Sequence, residues 1–361
     1  MSEWDWFHDY EMDARLRGDE RRVRMATAHH EAYDLRELDP HRALALYDEG
    51  HRLARALNEP WWALFYDHWR ATALLFFLRD FSNVLDLCVR ATLEARKPMY
   101  QQFPFRFSVQ RNLISAYLGI EPAGYAPVVA EALAYLESEI TLEGEDKYLL
   151  QGSKAEYAFE RGDWETARQM CLQSLAWAAV EEDRGMAEHT SVFDYSMLCE
   201  VEWKLGNWAA LAEYAEVGEG LARRVGHTLE LGEFLLWQSL LARRAGDEAR
   251  GRRLCRRATG RISRMRMPPD VFYHDALCAY HEAHGDLDQA LQAREEELAL
   301  LRHKGRFAYE ARVHVHRCRL LARLGRLSNA DVSAARAAAR RLRDPAPLRT
   351  ELDQIAGRSS G

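Results

Sequence analysis

His274, Cys278 and His281 are spaced i, i+4 and i+7, so on a helix they share one face, with Asp275 and Glu282 beside them. Imidazole and thiolate on a common face is the ligand chemistry of a zinc-type cation. A closed tetrahedral site would need a fourth ligand, and the chain contains no CxxC pair. His314 and Cys318 repeat the first two positions forty residues later, where the third position is Leu321. Recurrence at a structural period points to helix packing, so no metal and no cofactor is expected. His281-Glu282-Ala283-His284 is one residue short of the HExxH zinc motif. The other histidines, His29-His30 among them, come with no recognisable nucleophile. The chain also lacks GxxxxGK[ST] and GxGxxG. A non-catalytic protein is expected.

Arginine is the other concentrated chemistry. Between Arg243 and Arg266 stand ten arginines, densest at Arg252, Arg253, Arg256 and Arg257. Residues 1–120 carry 16 Lys+Arg against 18 Asp+Glu, residues 121–240 carry 8 against 23, and residues 241–361 carry 25 against 15. The basic run could meet phosphates or an acidic partner. Arg252/Arg256 and Arg253/Arg257 are i,i+4 pairs of the kind found on solvated helix faces, so nucleic acid is not the expected partner. An RNA-binding scaffold is the third-ranked function. The acidic middle and basic C-terminal third also suit head-to-tail self-association into a homo-oligomer.

With 48% hydrophobic and 29% charged residues in 361, the composition is that of a folded chain. The first twenty residues lack the basic and apolar regions of a signal peptide. The richest apolar run, Ala71 to Leu78, is eight residues long, so a soluble cytoplasmic protein with no membrane contact is expected.

What positions these residues is a turn that recurs about every forty residues. It reads Gly162-Asp163-Trp164, Gly206-Asn207-Trp208, Gly246-Asp247-Glu248, Gly285-Asp286-Leu287 and Gly325-Arg326-Leu327, with degenerate copies at Leu38-Asp39-Pro40, Arg79-Asp80-Phe81 and Gly119-Ile120-Glu121. The anchors are 39 to 44 residues apart, the mark of a solenoid built from one supersecondary unit. The residue five before each anchor is always apolar, from Tyr33 to Leu320. The residue five after is mostly small, from Ala43 to Ala330, which lets a second helix approach the first. Asp39, Asp80, Asp163, Asn207, Asp247 and Asp286 follow the anchors and are expected to cap the second helix. All six cysteines fall seven before or nine after an anchor and read as small buried packing residues. The pattern predicts an all-α chain of roughly sixteen helices in eight antiparallel pairs. Trp4, Trp6, Phe7 and Tyr10 precede the first repeat as a cap over its apolar edge, or as a segment inserted into the protein's own groove.

Gly162-Asp163…Ala167 and Gly285-Asp286…Ala290 match the turn of the tetratricopeptide repeat, and the whole pattern resembles that family from about residue 20 to 343. The period here is longer than the family's, as in the extended repeats of bacterial regulators. The resemblance implies a right-handed superhelical solenoid over 20–343, an N-terminal aromatic cap over 1–19 and a C-terminal cap with a frayed tail over 344–361. It also implies a concave face of first helices that binds an extended peptide or partner protein. Carried over by position, the contacts are Tyr66, Trp69 and Arg70; Arg106, Gln110 and Tyr117; Glu156; and Phe193, Met197, Glu200 and Trp203. Trp237 and Arg243 follow, then Asp275 and Glu282, and last Arg312, His316 and Arg319. Aromatic and arginine anchors are typical of binding hot spots. The expected function is a non-enzymatic scaffold that grips a peptide or protein. The alternative is a regulator that senses a peptide or metabolite.

Overall fold

The computed structural model describes residues 3–141, 146–180 and 184–359, without the side chains of 3–5, 184–186 and 358–359. The helices run, in order, α1 Glu3–Leu16, α2 Glu20–Leu35, α3 Pro40–Ala56, α4 Pro60–Thr72, α5 Phe81–Ala95, α6 Arg106–Ile120, α7 Pro122–Glu139, α8 Asp146–Glu160 and α9 Trp164–Ala178. They continue as α10 Arg184–Leu205, α11 Trp208–Val225, α12 Thr228–Arg244, α13 Glu248–Ile262, α14 Val271–Glu282, α15 Leu287–Leu301, α16 Phe307–Arg323, α17 Asn329–Ala339 and α18 Ala346–Ser359. A π-turn over Ala73–Phe77 extends α4, and a 3₁₀ turn spans Pro98–Tyr100. No strand occurs among the described residues. From α2 to α17 the chain is all-α helical repeat, each pair joined at an expected turn, and packing is densest between chain neighbours. No described helix is long and apolar enough to cross a membrane.

The turn is set by backbone stereochemistry. Gly162, Gly206, Gly246, Gly285 and Gly325 all have φ between +65° and +83°, where a Cβ would clash. In the degenerate second repeat Arg79 carries the same left-handed conformation at φ 54°. Three of the six expected caps form: Asp39, Asp163 and Asp247 accept from the N–H of Arg42, Thr166 and Arg250. Asp80, Asn207 and Asp286 make no such bond. Asp80 instead accepts from Ser82 Oγ and Asn83 Nδ2, and Asp286 from Arg243 Nη1. The last second helix starts later than expected, with a Ser328/Asp331 capping box, which leaves Ala330 exposed. All six cysteines are buried and unpaired.

The chain divides into two compact units, and the division runs through α6, α7 and α8. The first comprises residues 1–117, 131–149 and 265–268. Its core is aromatic. Phe7 is fully buried, and the Trp6 and Phe7 rings each lie 5.0 Å from Trp62. The N-terminal segment is thus a helix folded onto α2 and α4, while the Trp4 side chain lies outside the described ones. The second unit comprises residues 118–130, 150–264 and 269–361. There α18 buries Leu352 and Ile355 against Val315, Cys318 and Ala335. This helix is the C-terminal cap, and Ser360 and Gly361 lie outside the described residues. Within this unit the start of α7 meets the turn after α17: Arg343 N donates to Glu121 Oε1 at 2.5 Å, and Arg343 Nη1 to the Gly124 carbonyl at 3.1 Å.

Candidate functional site

In the first unit the positions expected to contact a partner serve the fold. Tyr66 and Gln110 are buried, a correction to their expected role as surface contacts. The Tyr66 hydroxyl donates to the Met25 carbonyl, and Gln110 accepts from Arg96 Nη2 at 3.3 Å. Trp69 stacks on Tyr47 with centroids 5.9 Å apart. Arg70 pairs with Asp48 and Asp67 at 2.7 and 2.9 Å, and Arg106 with Glu139 at 3.2 Å. Tyr117 is half-buried. The cause is that α4 buries Trp62 to Tyr66, His68 and Ala71, and its remaining charges, Asp67 and Arg70, pair with each other, which leaves little of it for a groove.

In the second unit the first helices α8, α10, α14 and α16, with α15 behind them, bring a set of charged positions into one network. Lys204 on α10 is ion-paired with Glu200 at 3.0 Å and donates to Asp275 on α14 at 3.5 Å. Arg294 on α15 donates to Asp275 and Glu297, each at 2.6 Å, and its Nε to His316 Nδ1 at 3.0 Å. His316 on α16 in turn bonds Glu282 Oε1 through Nε2 at 2.8 Å, and Arg323 reaches Glu282 Oε2. Burial pushes Glu200 up to about 8 against the pull of Lys204, and Glu297 up to about 7 against Arg294. Burial would also raise Glu282, but the His316 and Arg323 contacts outweigh it and bring the carboxyl to about 2. Asp275 is likewise held below the usual carboxylate range, because Arg294 and Lys204 overcome its desolvation.

The two ends of this row of first helices also touch. Glu160, at the end of α8, accepts from the Tyr309 hydroxyl through Oε1 and from Arg312 Nη2 through Oε2 at 3.1 Å. Arg306 and Arg312 both lie over the Tyr309 ring, 4.0 and 4.2 Å from its centroid. Beside this contact Phe159 meets Phe272 edge-on at 5.2 Å, and Met197 packs into the same cluster. The face expected as an open groove is therefore bridged by its own side chains between α8 and α16.

Other expected contacts divide between core and surface. Glu200 and Trp237 are buried, a further correction; Trp237 packs against Trp203 with the rings tilted by 44° and 5.3 Å apart, and Lys204 lies over Trp203. Phe193 is 54% exposed and covers His227. Glu156 is half-buried, Arg243 runs past Tyr280 to Asp286, and Arg319 pairs with Glu351 on α18. Lys204, Glu160, Arg294, Glu297 and Tyr309 complete the network. Lys204 and Glu160 occupy family contact positions, whereas Arg294 and Glu297 are on a second helix and had no signal in the repeat pattern.

The i, i+4, i+7 set His274, Cys278 and His281 does not converge. Among the described residues, the ligating atoms that gather within 4.8 Å belong to Cys278, Glu282 and His316. This group does not fit a cation either. His316 Nδ1 accepts from Arg294, so the neutral ring carries its proton on Nε2, aimed at Glu282. Metal on Nε2 would turn an Nδ1–H against the Arg294 N–H. Burial also pushes the Cys278 thiol up to about 12, and Glu282 is engaged by Arg323. His274 is buried, and desolvation brings it down to about 4, as for a packed neutral ring.

No family model matches the sequence, and neither does any curated protein. Among solved structures, the apo form of the quorum sensor NprR from B. thuringiensis is similar over 93% of this chain and 96% of its own, at 14% identity and a TM-score of 0.55. At that identity the likeness is one of fold, and it agrees with a tetratricopeptide-like helical repeat.

Proposed function

We propose that this chain is a non-enzymatic, ligand-responsive helical-repeat protein that binds an extended peptide, free or within a partner protein. The binding face would be the first-helix face of the second unit. The observation that carries this reading is the state of Lys204, Asp275 and Arg312. Their side chains keep 29, 24 and 41% of their area accessible. Partly exposed charges of both signs on neighbouring first helices can be matched by a ligand's own charges, which makes such contacts selective. Both signs are present beside Phe272 and Trp203, which suits a peptide's mixed polar and apolar character.

A responsive protein is favoured over a static scaffold by the Glu160 contact, which an incoming ligand would have to displace or accommodate. The fold shared with a quorum sensor is in keeping with that reading. The test is a synthetic peptide array probed with the purified protein, followed by calorimetry on the peptides it retains. Lys204→Ala with Arg312→Ala is expected to weaken binding at least tenfold while the helical signal is kept. Equal affinity in the folded variant would move the site elsewhere.

A further inference from the structure

The arginine run becomes specific once its helix is in place. On α13 the buried face is Gly251, Leu254, Cys255, Ala258 and Ile262. Arg250, Arg253, Arg257 and Arg261 are all exposed and follow one another at three- and four-residue steps. At 3.6 residues per turn they fall within an arc of about 80° and form a straight stripe about 16 Å long. Among the described residues none of the four has a carboxylate partner, although the stripe repeats like charges at i,i+4. Elsewhere in the same unit several arginines are matched, Arg243 by Asp286, Arg317 by Asp331, Arg326 by Asp288 and Arg336 by Asp353, although among the described residues Arg256 on α13 and Arg302, Arg340 and Arg349 are not. On α13 itself Arg252, away from the stripe, is paired with Glu248 at 2.7 Å.

We infer that this stripe is a docking surface for the phosphodiester backbone of a nucleic acid, read without regard to sequence. Three features select that partner. All ten cations from Arg243 to Arg266 are arginines, whose planar forks match phosphate oxygens two at a time. The described residues between Val217 and Leu300 include no exposed large hydrophobic side chain. A protein partner or a lipid surface would be expected to use an apolar anchor there, whereas phosphate contacts need only charge. The exposed stripe also carries no aromatic ring, so base stacking has no platform, and the backbone is the part that can be held. This surface is distinct from the first-helix face proposed to bind peptide, and neither reading depends on the other. It departs from the sequence expectation of a merely solvated face because the stripe is left without counter-charges.

The experiment uses the full chain and two fluorescein-labelled probes of mixed sequence, a 20-bp DNA duplex and a 20-nucleotide RNA, read by anisotropy from 20 to 200 mM NaCl. Contact with four phosphates gives a slope of log K against log salt of about −3.6 on the duplex. Arg250→Gln/Arg253→Gln/Arg257→Gln/Arg261→Gln is expected to weaken binding at least tenfold and flatten that slope, with an unchanged circular-dichroism melt. The charge-reversal Arg253→Glu/Arg257→Glu gives the same test with two changes, and Arg252→Gln/Arg256→Gln is expected to bind more nearly as wild type. Absence of salt-sensitive binding to both probes overturns the inference. So does binding that the folded stripe variants leave intact, or stripe-dependent flotation with phosphatidylserine vesicles or stripe-dependent self-association without nucleic-acid binding.

Discussion

Glu200 and Glu297 show how single residues make stability depend on pH. Both are buried in the network, and their carboxyls lie at about 8 and about 7. An unfolded glutamate loses its proton near 4.3, so from there to about pH 8 the folded protein holds more protons than the unfolded chain. Stability from these groups is therefore fully present below about 4.3 and is lost as pH rises through 7 and 8. Urea melts from pH 5 to 8.5 should show it, and Glu200→Gln should reduce the fall by about 2–4 kcal/mol. A variant with the same pH slope as wild type would show that Lys204 keeps Glu200 charged throughout. Glu282 has the opposite sign. Its carboxyl lies at about 2, so its contribution is present above about 4.3 and is lost as pH falls toward 2.

Two glycines on α11 separate close packing from helix propensity. A Cβ on Gly218 would stand 2.4 Å from the Phe234 ring, whereas one on Gly220 would meet nothing within 4 Å. Gly218→Ala should therefore destabilise by about 1–3 kcal/mol through overpacking. Gly220→Ala should stabilise by about 0.5–1 kcal/mol by removing a flexible helix residue. Thermal melts of the two variants should move in opposite directions, and a shared direction would break the assignment. The helix α1 makes a similar point for the N-terminal cap. Its own Phe7 is 0% exposed, so Phe7→Ala should cost about 3–5 kcal/mol in chemical denaturation. A loss under 1 kcal/mol would mean that α1 is only loosely docked.

At the scale of the molecule, the second unit is closed on itself by Glu160 with Tyr309 and Arg312, and by Glu121 with Arg343. Removing the first contact should let the row of first helices relax. Small-angle scattering of Glu160→Gln/Arg312→Ala is expected to give a larger radius of gyration than wild type at equal helix content. An unchanged radius would show that Phe159 on Phe272 holds the closure without the ion pair.

The turns were legible in the linear chain because they are local. A residue at positive φ followed by a polar one works within four or five residues, as at five glycine anchors and at Arg79, and the spacing of these anchors placed the remaining pairs. The cysteine columns and the tight positions Ala43, Ala167 and Ala290 were legible for the same reason, since helix pairing repeats with the period. Which residues remain open to a ligand depends on contacts between residues far apart in the chain. Trp237 and Glu200 stand at family contact positions yet are buried, and Tyr66 is locked onto Met25 across 41 residues. Glu160 meets Arg312 across 152 residues, at a distance set by how tightly successive repeats curl. That curl sums small rotations at every helix interface, and no short stretch of sequence encodes it.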